Sequence, residues 1–264
     1  MTLGSNRPVI TLTSDFGTSD GYVASMKGVL LETCPEARIV DITHDVPPYD
    51  ILAAAIILEA TAVYFPAGTV HLVVVDPGVG STRRALALAA AGYYFVGPDN
   101  GVFTPFLTSP SFEGAVNIEP TLLRLQKISS TFHGRDLFAP AAAYIARGSD
   151  YRALGCPVEA PVELAFPRPE RVGDEVRGVV LHVDHFGNAV TSIRAADLPR
   201  GGVPVVTCKG VDFGPLRRHY AEVLAGSPIA LVNSMGRLEV AIAQGNAAVA
   251  FGIAAGDTVV VKTP

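Results

Sequence analysis

Residues 70–76 read Val-His-Leu-Val-Val-Val-Asp, and the chain then breaks at once into Pro77-Gly78-Val79-Gly80. Three successive β-branched valines with no polar alternation suit a strand covered on both faces, as strands of a parallel sheet are. Such strands need helical crossovers, so this one run commits a large part of the chain to an α/β arrangement. It also delivers Asp76 to the carboxyl end of a strand, where ligands of open α/β sheets bind. The alternative role for Asp76 is to cap the turn that follows. With 264 residues, 49% of them hydrophobic and 17% charged, the chain has ample material for the implied core.

The remaining sequence repeats this layout. A strand over 9–13 runs into Ser14-Asp15-Phe16-Gly17, making Asp15 a second strand-end acid. Val23, Met26, Val29 and Leu30 recur at helical spacing over 22–32, with Ser19 or Asp20 as N-cap and Pro35 beyond the end. A strand over 37–43 leads to His44-Asp-Val-Pro-Pro-Tyr49, where the double proline forces an extended loop. Tyr49 is either a stacking surface for a planar ligand or an aromatic lid over the core. Asp50 then caps a helix over 51–64 that is apolar nearly all round, as a helix buried against the sheet or a partner subunit would be.

A strand over 85–90 and a second from Tyr93 that runs into the turn Gly97-Pro98-Asp99-Asn100-Gly101 follow, and His133 lies in the loop before a helix at 137–147. A loop histidine is ordinarily a solvated side chain unless neighbours hold it. This rhythm predicts the class α/β, with an N-terminal doubly wound, mostly parallel sheet domain over 1–165. Prolines 157, 161, 167 and 169 mark an ordered linker. Short strands over 176–183, 189–193, 203–208, 229–232, 237–243 and 258–262 then predict a smaller β-barrel-like C-terminal domain over 166–264.

Composition excludes several function classes. A net charge of −5, with no cluster of Lys or Arg longer than two, argues against nucleic acid as a partner. The longest apolar run, 51–58, is too short to span a bilayer, and the first residues lack a signal peptide's apolar region, so the expectation is a cytoplasmic protein with no membrane contact. Cys34, Cys156 and Cys208 suggest neither a disulfide framework nor a metal motif, and no metal is expected. The lack of a Gly-x-Gly-x-x-Gly turn between strand and helix argues against a Rossmann-type dehydrogenase.

Five motifs in order, Ser14-Asp15-Phe16-Gly17, Val75-Asp76-Pro77-Gly78-Val79-Gly80-Ser81, Gly97-Pro98-Asp99-Asn100-Gly101, Phe132-His133-Gly134-Arg135-Asp136 and Asp184-His185-Phe186-Gly187-Asn188, resemble the S-adenosyl-L-methionine hydroxide adenosyltransferase family, hydrolytic relatives of the fluorinase and chlorinase. The resemblance spans nearly the whole chain. It implies an α/β domain followed by a β-barrel, and a homotrimer with active sites at subunit interfaces. It also implies hydrolysis of S-adenosyl-L-methionine to adenosine and L-methionine without a cofactor. The family's catalytic trio falls on Asp76, Arg83 and His133, with Arg84 as the alternative arginine. The family's ribose contact falls on Asp15 and its adenine contact on Asn188. Asp184, Ser234 and Glu239 match further substrate-binding positions, and Tyr49 falls where the halogenating relatives carry an aromatic beside the ligand. The short connection between Gly80 and Tyr93 leaves no room for the fluorinase insertion, which favours hydrolysis over a halide-dependent, chlorinase-like adenosyl transfer. A nucleoside-binding or sensing protein with little turnover is the third reading.

Overall fold

The computed structural model describes residues 7–123, 125 and 127–263. They form two compact units, one running to Leu164 and the other from Ala165 onward.

The first unit is built on a seven-stranded sheet. Its strands are β1 (Val9–Ser14), β2 (Arg38–Thr43), β3 (Val70–Val74), β4 (Ala85–Ala90), β5 (Tyr93–Pro98), β6 (Phe112–Ile118) and β7 (Gly155–Pro157), in the order β2-β1-β3-β5-β4-β6-β7. The four strands from β2 to β5 in that order pair in parallel, and β4, β6 and β7 extend the sheet antiparallel. The sheet is therefore mixed, its parallel half being the half whose strands end in acids. Register decides what those ends bring together. Ser14 pairs with Val74 and Thr13 with Thr43, so Asp15, Asp76 and the loop from His44 leave the same edge side by side.

Helices α1 (Tyr22–Thr33) and α4 (Ala139–Ala146) bury Met26, Leu30 and Ala141–Ala143 with Ile10, Leu12, Leu72 and Val74 in one core. Two further helices, α2 (Ile51–Thr61) and α3 (Thr104–Leu107), pack on each other, and α2 also contacts β1. Asp50 caps α2 by accepting the amide of Ala53 at 2.9 Å. In α1 the N-cap is Gly21 rather than Ser19 or Asp20, and no side chain caps the helix. Residues 19 and 20 lie too early to reach the first-turn amides. The helix over 51–64 tightens into a 3-10 turn at Ala62–Tyr64, where Val63 and Tyr64 are exposed. The helix expected over 137–147 starts earlier, as a π turn at Gly134–Phe138 in which Ala139 N–H bonds the Gly134 carbonyl. Pro140, lacking an amide proton, cannot continue the ordinary ladder there.

The second unit is an antiparallel sheet of β8 (Glu170–Val172), β9 (Glu175–Val183), β10 (Ala189–Arg194), β11 (Val205–Cys208), β12 (Val211–Pro215), β13 (Pro228–Val232), β14 (Arg237–Ile242) and β15 (Thr258–Lys262), with a short helix, α5 (Ala247–Phe251), between the last two strands. The order is β12-β11-β15-β9-β10-β14-β13, with β8 on β9. Past β12, Arg217 donates to the Ala230 carbonyl of β13 at 2.8 Å, so the two ends of the sheet meet in a nearly closed barrel around Val180, Ile193, Val240 and Val261.

Candidate active site

Asp76 follows the buried Val75, one residue past β3, and Asn100 holds that end by donating to the Val75 carbonyl at 2.8 Å. The turn through Gly80 brings Arg83 back over Asp76. Gly80 has φ +78°, and a Cβ there would stand 2.4 Å from the Ser130 carbonyl, so only glycine lets this turn lie against the loop that carries His133. Arg83 Nε donates to Asp76 Oδ1 at 2.9 Å, and its Nη2 bonds both Asp76 Oδ2 and His133 Nδ1, the latter at 2.8 Å. The guanidinium lies 5.1 Å from the Phe138 ring centre. An arginine only donates, so His133 Nδ1 is the acceptor and the neutral ring carries its proton on Nε2. Burial first, then the Arg83 charge, holds the His133 pKa below the usual histidine value.

Arg84 goes elsewhere. It pairs with Asp99 at 2.6 Å and donates to the Ala160 carbonyl at 2.7 Å, while Asp99 also accepts the amide of Val162 at 2.7 Å. That set ties the proline-rich segment to the sheet.

The neighbouring strand end supplies Asp15, whose Oδ2 accepts the Tyr49 amide at 2.9 Å. Tyr49 holds a left-handed φ of 67°, a conformation that costs about 1–3 kcal/mol for a residue with a side chain. It is 71% exposed, so it is no lid over the core. Asp15, Tyr49, Asp76 and His133 all line one cavity of about 360 Å³, with Phe16, Tyr22 and Phe132 forming an aromatic wall whose ring centres are 5.2–5.8 Å apart.

In the second unit, Asp184 Oδ1 accepts the amides of Phe186 and Asn188 at 2.9 and 2.8 Å, and its Oδ2 accepts Asn188 Nδ2 at 3.1 Å. Gly187, at φ +84°, passes so close to Asn246 that a Cβ would overlap it at 2.1 Å. Glu239 is buried in β14, where Tyr220 OH donates to one oxygen and Asn233 Nδ2 to the other at 3.1 Å. Burial pushes the Glu239 carboxyl above its ordinary pKa; burial and the Glu239 contact together push the Tyr220 phenol up. Asn188 Nδ2 lies 3.5 Å from Tyr220 OH, which joins Asp184, Asn188 and Glu239 into one chain. Ser234 is exposed in the turn after β13 and, among the described residues, makes no hydrogen bond to that chain.

Residues 10–155 match the SAM hydroxide adenosyltransferase N-terminal domain and residues 178–260 the C-terminal domain of the same family. The chain belongs to the SAM hydroxide adenosyltransferase family. It is 43% identical to an (R)-S-adenosyl-L-methionine hydrolase of Thermus thermophilus, over 95% of this chain and 97% of that one. A fluorinase of Actinoplanes sp. is 29% identical over 97% of this chain and 98% of its own length. A crystal structure of an uncharacterized conserved protein from Thermotoga maritima superposes with a TM-score of 0.88 at 32% identity, covering 96% of this chain and 99% of that one.

For this member of the SAM hydroxide adenosyltransferase family, sequence reasoning missed Phe16, Tyr22 and Phe132 as cavity walls and Tyr220 and Asn233 as partners of Glu239. Phe16 and Phe132 adjoin motif acids or histidines and could have been found that way; Tyr220 stands in no motif. Among the described residues no group of three or more His, Cys, Asp or Glu side chains could hold a metal ion. No helix among them is long and apolar enough to cross a membrane.

Proposed function

We propose that this chain hydrolyses S-adenosyl-L-methionine to adenosine and L-methionine, with Asp76, Arg83 and His133 directing water to ribose C5′. The observation that carries this reading is Arg83 bridging Asp76 and His133 on the wall of a cavity that Asp15 also lines. The sulfonium of the substrate makes C5′ electrophilic and departs as a neutral thioether, so no group needs to protonate the leaving atom. What the reaction needs is an oriented water, and positioning of this kind can be worth about 7–11 kcal/mol. Asp76 accepts a water proton through lone pairs that Arg83 leaves unused. His133, with its proton on Nε2, donates to the water oxygen and favours the developing hydroxide, while Arg83 holds both groups in place.

In the same reading Asp15 accepts the ribose hydroxyls, Tyr49 lies against the nucleoside, and Asn188 and Asp184 in the second unit read the rest of the substrate. Glu239 supports Asn188 through Tyr220, and Ser234 serves as a further contact. The protein works without a cofactor, as a cytoplasmic homotrimer with its active sites at subunit interfaces. A halide nucleophile fits poorly, because an anion beside the Asp76 carboxylate is repelled. Incubation with S-adenosyl-L-methionine and chromatography of the products tests the proposal. Adenosine and methionine in equal amounts without added halide are expected. Chloride-dependent formation of a chlorinated nucleoside, or tight adenosine retention with no turnover, would overturn it.

A further inference from the structure

We propose that His44 is a positioning residue for Asp15: through the Ser14 hydroxyl and its own carbonyl it locks the loop after β1 to the loop after β2. The inference rests on the ribose-binding reading of Asp15 given above. Neither Ser14 nor His44 lines the cavity, and both side chains are buried. Their hydrogen bonds nonetheless converge on Asp15. The Ser14 hydroxyl and His44 Nδ1 are 2.7 Å apart, and the Ser14 oxygen also takes the Phe16 amide at 3.4 Å. The His44 carbonyl accepts the Gly17 amide at 2.8 Å, and the Ser14 carbonyl accepts the Val46 amide at 3.4 Å. With the Tyr49 amide on Asp15 Oδ2, four hydrogen bonds cross between the two loops around one carboxylate.

The far side of the ring is anchored too. His44 Nε2 faces Asp41 Oδ1 at 3.1 Å, with its N–H out of line for a full hydrogen bond, and Lys27 of α1 holds the other Asp41 oxygen at 2.6 Å. A carboxylate only accepts, so the ring proton belongs on Nε2 and Nδ1 accepts the Ser14 hydroxyl. The hydrogen bonds then have one direction, from the Phe16 amide through Ser14 to His44 Nδ1, with Asp41 facing the protonated Nε2. Directional bonds of this kind fix the backbone on either side of Asp15. Packing alone would leave it free to slide, and a carboxylate that must meet two neighbouring hydroxyls at once tolerates little slide.

The test is a double-mutant cycle read by adenosine affinity and by KM against kcat. His44→Ala is expected to weaken adenosine binding and raise KM about tenfold, the size of one hydrogen bond's contribution, with a smaller change in kcat. His44→Asn, whose amide oxygen occupies the place of Nδ1, is expected to restore most of that loss. In an Asp15→Ala background, His44→Ala should add less than about twofold, because the group it positions is gone. Full additivity in that background, or a loss confined to kcat, would overturn the inference. Ser14→Ala removes a single oxygen and carries the same cycle should His44→Ala fold poorly. If Asp15→Ala alone leaves adenosine affinity unchanged, it is the ribose reading of Asp15 that fails.

Discussion

Asp76 stands just past β3 with Arg83 across both its oxygens, whereas Glu239 sits within β14 with a phenol on one oxygen and an amide on the other. The first carboxylate pairs with a permanent cation, lines a cavity and keeps lone pairs for a further partner. The second has only neutral donors around it, and burial raises its pKa. Under the proposed mechanism Asp76 takes a proton from a bound water, a role that needs spare capacity and an open side. A carboxylate meant to hold neighbours in register is better saturated and sealed.

The sharpest way to break this contrast is Asp76→Ala. Hydrolysis should fall by about 10²–10⁴-fold, the usual contribution of a positioned proton acceptor, while adenosine affinity stays near wild type. Single-turnover rates and calorimetric binding check both halves, and equal loss of binding would move Asp76 into recognition. Arg83→Ala and His133→Ala should each slow the chemical step by about a hundredfold. The double variant should lose far less than the product of the two, since Arg83 acts by holding His133 and Asp76 together. Additive losses would dissolve the trio as a unit.

Glu239→Ala should act on stability first. It removes the shared acceptor of the Tyr220 hydroxyl and the Asn233 amide, at about 0.5–1.5 kcal/mol for each bond, visible as a lower thermal midpoint, whereas Glu239→Gln should cost less because an acceptor remains. If Glu239→Gln instead removed hydrolysis without lowering stability, Glu239 would belong with Asp76.

His71 extends the contrast to a buried group with no charge partner. It is fully buried in β3, bonded at Nδ1 to Thr11 at 2.8 Å, and burial lowers its pKa to about 4. The unfolded chain takes up this proton near pH 6.5 and the folded chain only near 4. The stability this neutral ring contributes is therefore complete above about pH 6.5 and is lost as the pH falls towards 4. About 2 kcal/mol should disappear between pH 7 and pH 5, measurable as a shift in denaturant midpoint, and a flat profile would show that the ring accepts a proton in place.

Much of this was legible in the chain because it is local. The valines before Asp76, the strand before Asp15, the Asp50 cap of α2 and the alternating segments of the barrel are all short-range patterns of burial and turn chemistry. What lay beyond them was pairing across distance. Spacing from Asp76 favoured Arg83 but left Arg84 as the alternative, since consecutive residues differ only in which way the turn sends them. The register of the sheet sends Arg83 to His133, fifty positions on, and Arg84 to Asp99. The antiparallel half of the first sheet depends in the same way on strand order, not on the character of β4, β6 or β7 alone. Tyr220 reaches Glu239, and His44 reaches Ser14, only because barrel closure and parallel register set them side by side. Sequence by itself determined which groups stand at strand ends, through backbone propensity and hydrophobic period. Tertiary structure alone decided which of those groups touch, because a hydrogen bond needs its partners within about 3 Å and no local pattern encodes that distance.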